Sequence, residues 1–192
     1  MTSYALFGIV AGILSFLPCP FYIRSILKGK TRPDRVTWWI LALVSGMIAA
    51  SSWASGARET LWLPIGYALS FFIIAVFSVK YGDGPIQLHL LDRVCLSLAI
   101  FSIIVWWAFN SPLIALCMNI VVDFIGLIPT AHKAYVRPWT EDRTAWIIAV
   151  TASFLNLFAI SEWTFAISAY PIYVFIFNAL ITYFILRRRF QW

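Results

Sequence analysis

Residues 15–40 read SFLPCPFYIRSILKGKTRPDRVTWWI, and residues 126–148 read GLIPTAHKAYVRPWTEDRTAWII. Each is an apolar run that reaches a proline, turns through a short basic stretch, and restarts on an Asp-Arg pair with a tryptophan three residues on. Pro18 is matched by Pro129 at an offset of 111 (129 minus 18). Asp34, Arg35 and Trp38 are matched by Asp142, Arg143 and Trp146 at 108 (142 minus 34), and Pro64 and Lys80 by Pro171 and Arg187 at 107 (171 minus 64). An offset that shrinks only across loops is the trace of two copies of one unit with small deletions.

The rest of the chain says what that unit is. Of 192 residues, 62% are hydrophobic and 11% charged, with a mean hydropathy of +0.87. No soluble core accommodates so much apolar surface, so lipid is the solvent. Apolar runs cover 4–27, 36–54, 60–79, 90–109, 112–136, 144–160 and 165–186. Each approaches the roughly 20 residues that a helix needs to span, and in hydrocarbon only a helix satisfies its own backbone over such a run. The sixth is the shortest. The expected fold is therefore an all-α membrane protein of seven transmembrane helices, arranged as two three-helix repeats plus a connecting helix (3+1+3). The first repeat takes residues 1–82, the linker helix 83–110 and the second repeat 111–192. One odd helix between the copies makes both cross in the same direction. Parallel repeats are related by an axis along the membrane normal, with substrate sites at their interface near the midplane.

Basic residues set the direction. Arg24, Lys28, Lys30, Arg32 and Arg35, then Lys80 and Arg93, then Lys133, Arg137 and Arg143, and finally Arg187, Arg188 and Arg189 all fall on one side, leaving Arg58 alone opposite. The positive-inside rule puts that side in the cytoplasm, with the N-terminus outside and the C-terminus inside. The first run lacks a basic n-region and a small-residue cleavage pattern, so it is expected to stay as a helix. The expected location is the plasma (inner) membrane. A net charge of +6 spread over short loops makes no nucleic-acid face. Cys19, Cys95 and Cys117 sit in apolar runs without metal-ligand spacing and read as packing residues. Most of the ten tryptophans fall near helix ends, as an interfacial aromatic belt would place them.

Polar residues inside the spans are few. Asp123 is the acid deep in a run. A carboxylate there costs roughly 2.5 to 3.5 kcal/mol on the lenient insertion scale, which turns it toward the bundle interior. Asn119, Asp123, Gly126 and Thr130 share one helix face. At the 111 offset the first helix presents Gly8, Gly12, Ser15 and Cys19. One reading makes the two faces walls of a central cavity, with Asp123 binding a solute's hydroxyls or amine or carrying a proton. The plainer one makes the glycine face ordinary helix packing and Asp123 a structural acceptor for Asn119 or an indole N–H. Asn156 with Ser153, and Asn178 with Thr182, complete the inventory. Pro18 and Pro129 each remove a helix hydrogen bond well inside a run and should kink it.

SFLP at 15–18 with KGKTRPD at 28–34, LIPTAHKAY at 127–135 and the downstream Asp142 and Arg143 together resemble the SWEET, SemiSWEET and PQ-loop superfamily of membrane transporters. The likeness, with the topology, extends over nearly the whole chain. It implies alternating access, with Pro18 and Pro129 as hinges of the cytoplasmic gate. It also implies a solute contact at Asn178, and an aromatic partner near Ala50 or Phe158 with Trp53 about one turn away. The family's Pro-Gln pair stands here as Pro18-Cys19 and Pro129-Thr130.

The functional expectation is a transporter or facilitator of a small polar solute, a neutral sugar by resemblance, with protons as a candidate co-substrate. Its partners are membrane lipid and the solute, and self-association is open. The alternatives are a ligand-binding receptor on this scaffold, or a transporter of amino acids or vitamin-like solutes. No histidine pair, serine elbow, phosphate loop or paired acid points to an enzyme, and no cofactor or metal is expected.

Overall fold

The computed structural model describes residues 2–29, 32–82 and 89–187. Lys30, Arg188 and Arg189, counted above among the cytoplasmic charges, lie outside them. Among the described residues the secondary structure is helical throughout, without strands. Helices α1 (Ser3–Phe16) and α2 (Pro18–Leu27) form one interrupted rod; α3 (Arg35–Ala54), α4 (Trp62–Tyr81), α5 (Leu90–Phe109), α6 (Pro112–Val136), α7 (Arg143–Leu157) and α8 (Phe165–Leu186) follow. With α1 and α2 taken together these are seven helices, six of them long and apolar enough to cross a membrane. The chain is an integral membrane protein. The remaining helix, α7, has 15 residues, about 22 Å of rise. The amides of Phe158, Ala159 and Ile160 then bond three residues back, to Leu155, Asn156 and Leu157. Such tighter turns rise about 2 Å per residue, so they carry the segment some 6 Å further.

The recurring Asp-Arg pair has a structural explanation. Asp34 caps α3 by accepting from the Thr37 amide at 2.8 Å, and Asp142 caps α7 from the Ala145 amide at 3.0 Å. Each aspartate satisfies an orphan N–H of the first turn and places negative charge at the positive end of the helix dipole. Asp34→Ala and Asp142→Ala are each expected to cost about 1 kcal/mol, read as a lowered melting temperature in detergent. At the other side of the bundle Asn110 takes a left-handed conformation (φ 46°), which a short polar side chain tolerates. The chain there turns directly from α5 into α6, whose first residue is Pro112.

The paired prolines do not behave alike. At Pro18 the rod breaks between Phe16 and the start of α2, whereas Pro129 sits inside an uninterrupted α6. Pro18-Cys19-Pro20 removes two amides within three residues, while Pro129-Thr130-Ala131 removes one. Helix continuity does not measure bending, so this difference bears on where α2 starts and not on the kink expected at each proline.

Packing is ordered in the same way on both sides. Helix α4 lies against both α1 and α3, and α8 lies against both α6 and α7. Across the middle, α1 meets α7 and α3 meets α6, while α5 packs on α6 and α3. Val36, Ile40, Val44 and Ile48, one turn apart along α3, form a buried ridge that joins Leu116 and Val122 of α6 and Tyr170 and Val174 of α8 in one core. Ile13, Phe21, Leu69 and Ile176 point outward, as a lipid-facing surface requires.

Candidate functional site

Asp123 stands near the middle of α6, and its Oδ2 accepts a hydrogen bond from the Tyr173 hydroxyl of α8 at 2.7 Å. A charge-assisted bond of this length is a strong one. The carboxylate also lies within electrostatic reach of Tyr67 on α4 and Tyr170 on α8. One turn beyond Val174, the Asn178 amide nitrogen is 3.4 Å from the Tyr67 hydroxyl, 3.3 Å from Ser153 Oγ and 3.3 Å from the Ala149 carbonyl. Asn178 thereby connects α8, α7 and α4. Thr182, a turn further on, donates to the Trp146 carbonyl at 3.2 Å. Asp123, Tyr67 and Tyr173 are partly buried while Tyr170 is buried, so the cluster is not wholly sealed.

Asp123 and Asn178, singled out from the sequence, are thus met by Tyr173 and Tyr67 respectively, with Tyr170 beside Tyr173, three tyrosines that were not. Asn119 turns elsewhere. Its amide donates to Ser102 Oγ of α5 at 3.0 Å and to the Ala115 carbonyl at 2.8 Å, so it ties α6 to α5 and is not the partner of Asp123. Asn156 is fully buried on α7, and neither of its amide atoms has a hydrogen-bond partner.

Two expectations are corrected. Trp53 is 61% exposed at the end of α3, with the Arg58 guanidinium 6.0 Å from its ring. An exposed indole beside a cation at a helix end has the surroundings of an interfacial anchor, and among the described residues its ring makes no contact with the Asp123 cluster. The glycine face of α1 is not a cavity wall. Gly8 abuts the Glu59 carbonyl, a Cβ on Gly12 would stand 2.7 Å from the Trp62 carbonyl, and Gly66 of α4 closes against Ser15 and the Gly12 carbonyl. Ser15 Oγ donates to the Gly12 and Leu63 carbonyls at 2.8 and 3.2 Å. Small residues on both helices let the backbones touch.

At the Asp-Arg end of the helices the basic residues hold helix ends together. Arg35 donates to the Ser78 and Gly82 carbonyls at 3.2 and 3.1 Å, closing the last turn of α4. Lys133 pairs with Glu141 at 2.9 Å, and Glu141 also accepts from the Trp146 indole at 3.1 Å. Arg187 donates to the Tyr135 carbonyl at 3.2 Å and lies 4.0 Å from the centre of its ring. These cations are committed to structure away from Asp123.

No family model matches the chain, nor does any curated protein or solved structure.

Proposed function

We propose that the chain is an alternating-access transporter or facilitator of a small polar solute. It is built as two parallel three-helix repeats joined by α5, with its N-terminus outside and its C-terminus in the cytoplasm. The repeat reading is supported by the packing order: in each triple the third helix lies against the first and second. The contacts of α1 with α7 and of α3 with α6 exchange with one another when the two triples are exchanged.

The observation that carries the function is the polar cluster of Asp123, Tyr173, Tyr170, Tyr67 and Asn178. It joins α4 of one triple to α6, α7 and α8 of the other, near the midplane where parallel-repeat transporters bind. Closing the triples over a solute there and opening them on the other side needs a flexible element, a role this reading assigns to the helix around Pro18, where backbone hydrogen bonds are lost. The basic residues sit at helix ends and not within the cluster, which disfavours a receptor for an acidic ligand.

Uptake into proteoliposomes against a panel of sugars, amino acids and amines, with and without a pH gradient, tests the proposal. Accumulation or exchange of at least one solute is expected, and inertness toward the whole panel would overturn it. The orientation has its own check. A reporter active only in the cytoplasm should work at the C-terminus, and a tag ahead of Tyr4 should be cleaved by protease added to intact cells. A protected N-terminal tag would reverse the topology.

A further inference from the structure

The charge at Asp123 has no counterpart. Among the described residues no basic side chain comes within ion-pair distance of it, and Lys133 pairs with Glu141. The neighbours of Asp123 are instead aromatic. The Tyr170 and Tyr173 ring centres are 6.3 Å apart, those of Tyr173 and Phe177 6.2 Å, and Phe177 meets Phe124, the residue after Asp123, edge-on at 6.0 Å. Carboxylates within a membrane bundle face its interior or a water-filled path and mark solute, ion or proton routes. A carboxylate without a cationic partner, set beside a cluster of aromatic rings, suits an ammonium group, to which the carboxylate offers charge and rings offer their negative faces.

We infer that the solute bound at Asp123 is a small organic cation, carrying an ammonium group, and not a neutral sugar. This rests on reading the Asp123 cluster as the solute site. Its central prediction is charge selectivity. Tyr173 is the positioning residue: its hydroxyl holds Asp123 while its ring packs against Tyr170 and Phe177, so losing the hydroxyl is milder than losing the ring.

The probes are choline, its uncharged carbon isostere 3,3-dimethylbutan-1-ol, and sorbitol, each titrated into the purified full chain and read by thermal shift and calorimetry. Choline is expected to bind at least tenfold more tightly than the isostere, with sorbitol inert. In Asp123→Asn the preference for choline should disappear. In Tyr173→Phe it should survive with an affinity loss within about tenfold, and in Tyr173→Leu it should be lost. Circular dichroism and melting of each variant show that the fold persists, and Tyr173→Phe keeps the comparison interpretable if Asp123→Asn melts early.

Equal binding of choline and its isostere, binding of sorbitol alone, or no binding of any probe overturns the cation assignment. Uptake of a neutral solute without choline binding would sink this inference while leaving the transporter reading intact. Choline binding in a protein that moves nothing across a vesicle membrane would do the reverse.

Discussion

Asp123→Asn is expected to reduce both gradient-driven uptake and solute exchange at least tenfold. The amide keeps the size of the carboxylate and still accepts from Tyr173, but it holds no charge and carries no proton. Three roles for Asp123 separate on this variant. A purely structural acceptor would leave both rates at the wild-type value, with a modest loss of thermal stability. A proton carrier would lose gradient-driven uptake and keep exchange of solute down its own gradient. A group that grips a cation loses both together, because binding itself fails; the loss of a charged hydrogen-bonding partner is typically about 1.5 to 3 kcal/mol, or roughly 10- to 150-fold at 1.4 kcal/mol per decade. The structure has already removed one support of the structural reading, since Asn119 bonds to Ser102 and not to Asp123. Wild-type rates in both modes would return Asp123 to a structural role.

The helices were legible because hydrocarbon imposes a length and forbids irregular backbone, so the apolar runs and the helices nearly coincide. The run at 144–160 is the instructive case. Its apolar residues continue to Ile160, but the regular helix ends at Leu157, and apolar content alone does not distinguish an α-turn from the tighter turns that follow. Likewise, matched prolines do not by themselves tell an interrupted helix from a continuous one, and the local doubling in Pro18-Cys19-Pro20 is what distinguishes the first.

The site was half legible for a related reason. Asp123 and Asn178 stand out because polar atoms in lipid need partners, whereas Tyr67, Tyr170 and Tyr173 are three of 8 tyrosines in a chain with 16 phenylalanines and 10 tryptophans. A tyrosine presents an apolar body wherever it sits, and only geometry shows where its hydroxyl points. Trp53 illustrates the opposite error: aromatic size one turn from an expected contact says nothing about which side of the helix it occupies.

The glycine face of α1 yields the other large effect. Gly12→Trp is expected to leave little folded protein, because even a Cβ at this position lies 2.7 Å from the Trp62 carbonyl and 2.8 Å from its Cβ, and an indole has nowhere to go. Overpacking by single methylenes already costs roughly 1 to 3 kcal/mol, and here backbone blocks the way. In the proposed repeat, Gly12 corresponds to Asp123 (123 minus 12) and Gly66 to Tyr173 (173 minus 66). One triple would therefore close this helix contact with glycines, where the other spans it with the Tyr173–Asp123 hydrogen bond. Ile13, its neighbour, is 62% exposed, so Ile13→Trp should express and melt like the wild type. Fluorescence-detected gel filtration and thermal unfolding of the two variants make the test, and a monodisperse Gly12→Trp with an unchanged melting temperature would show that α1 and α4 are not in backbone contact.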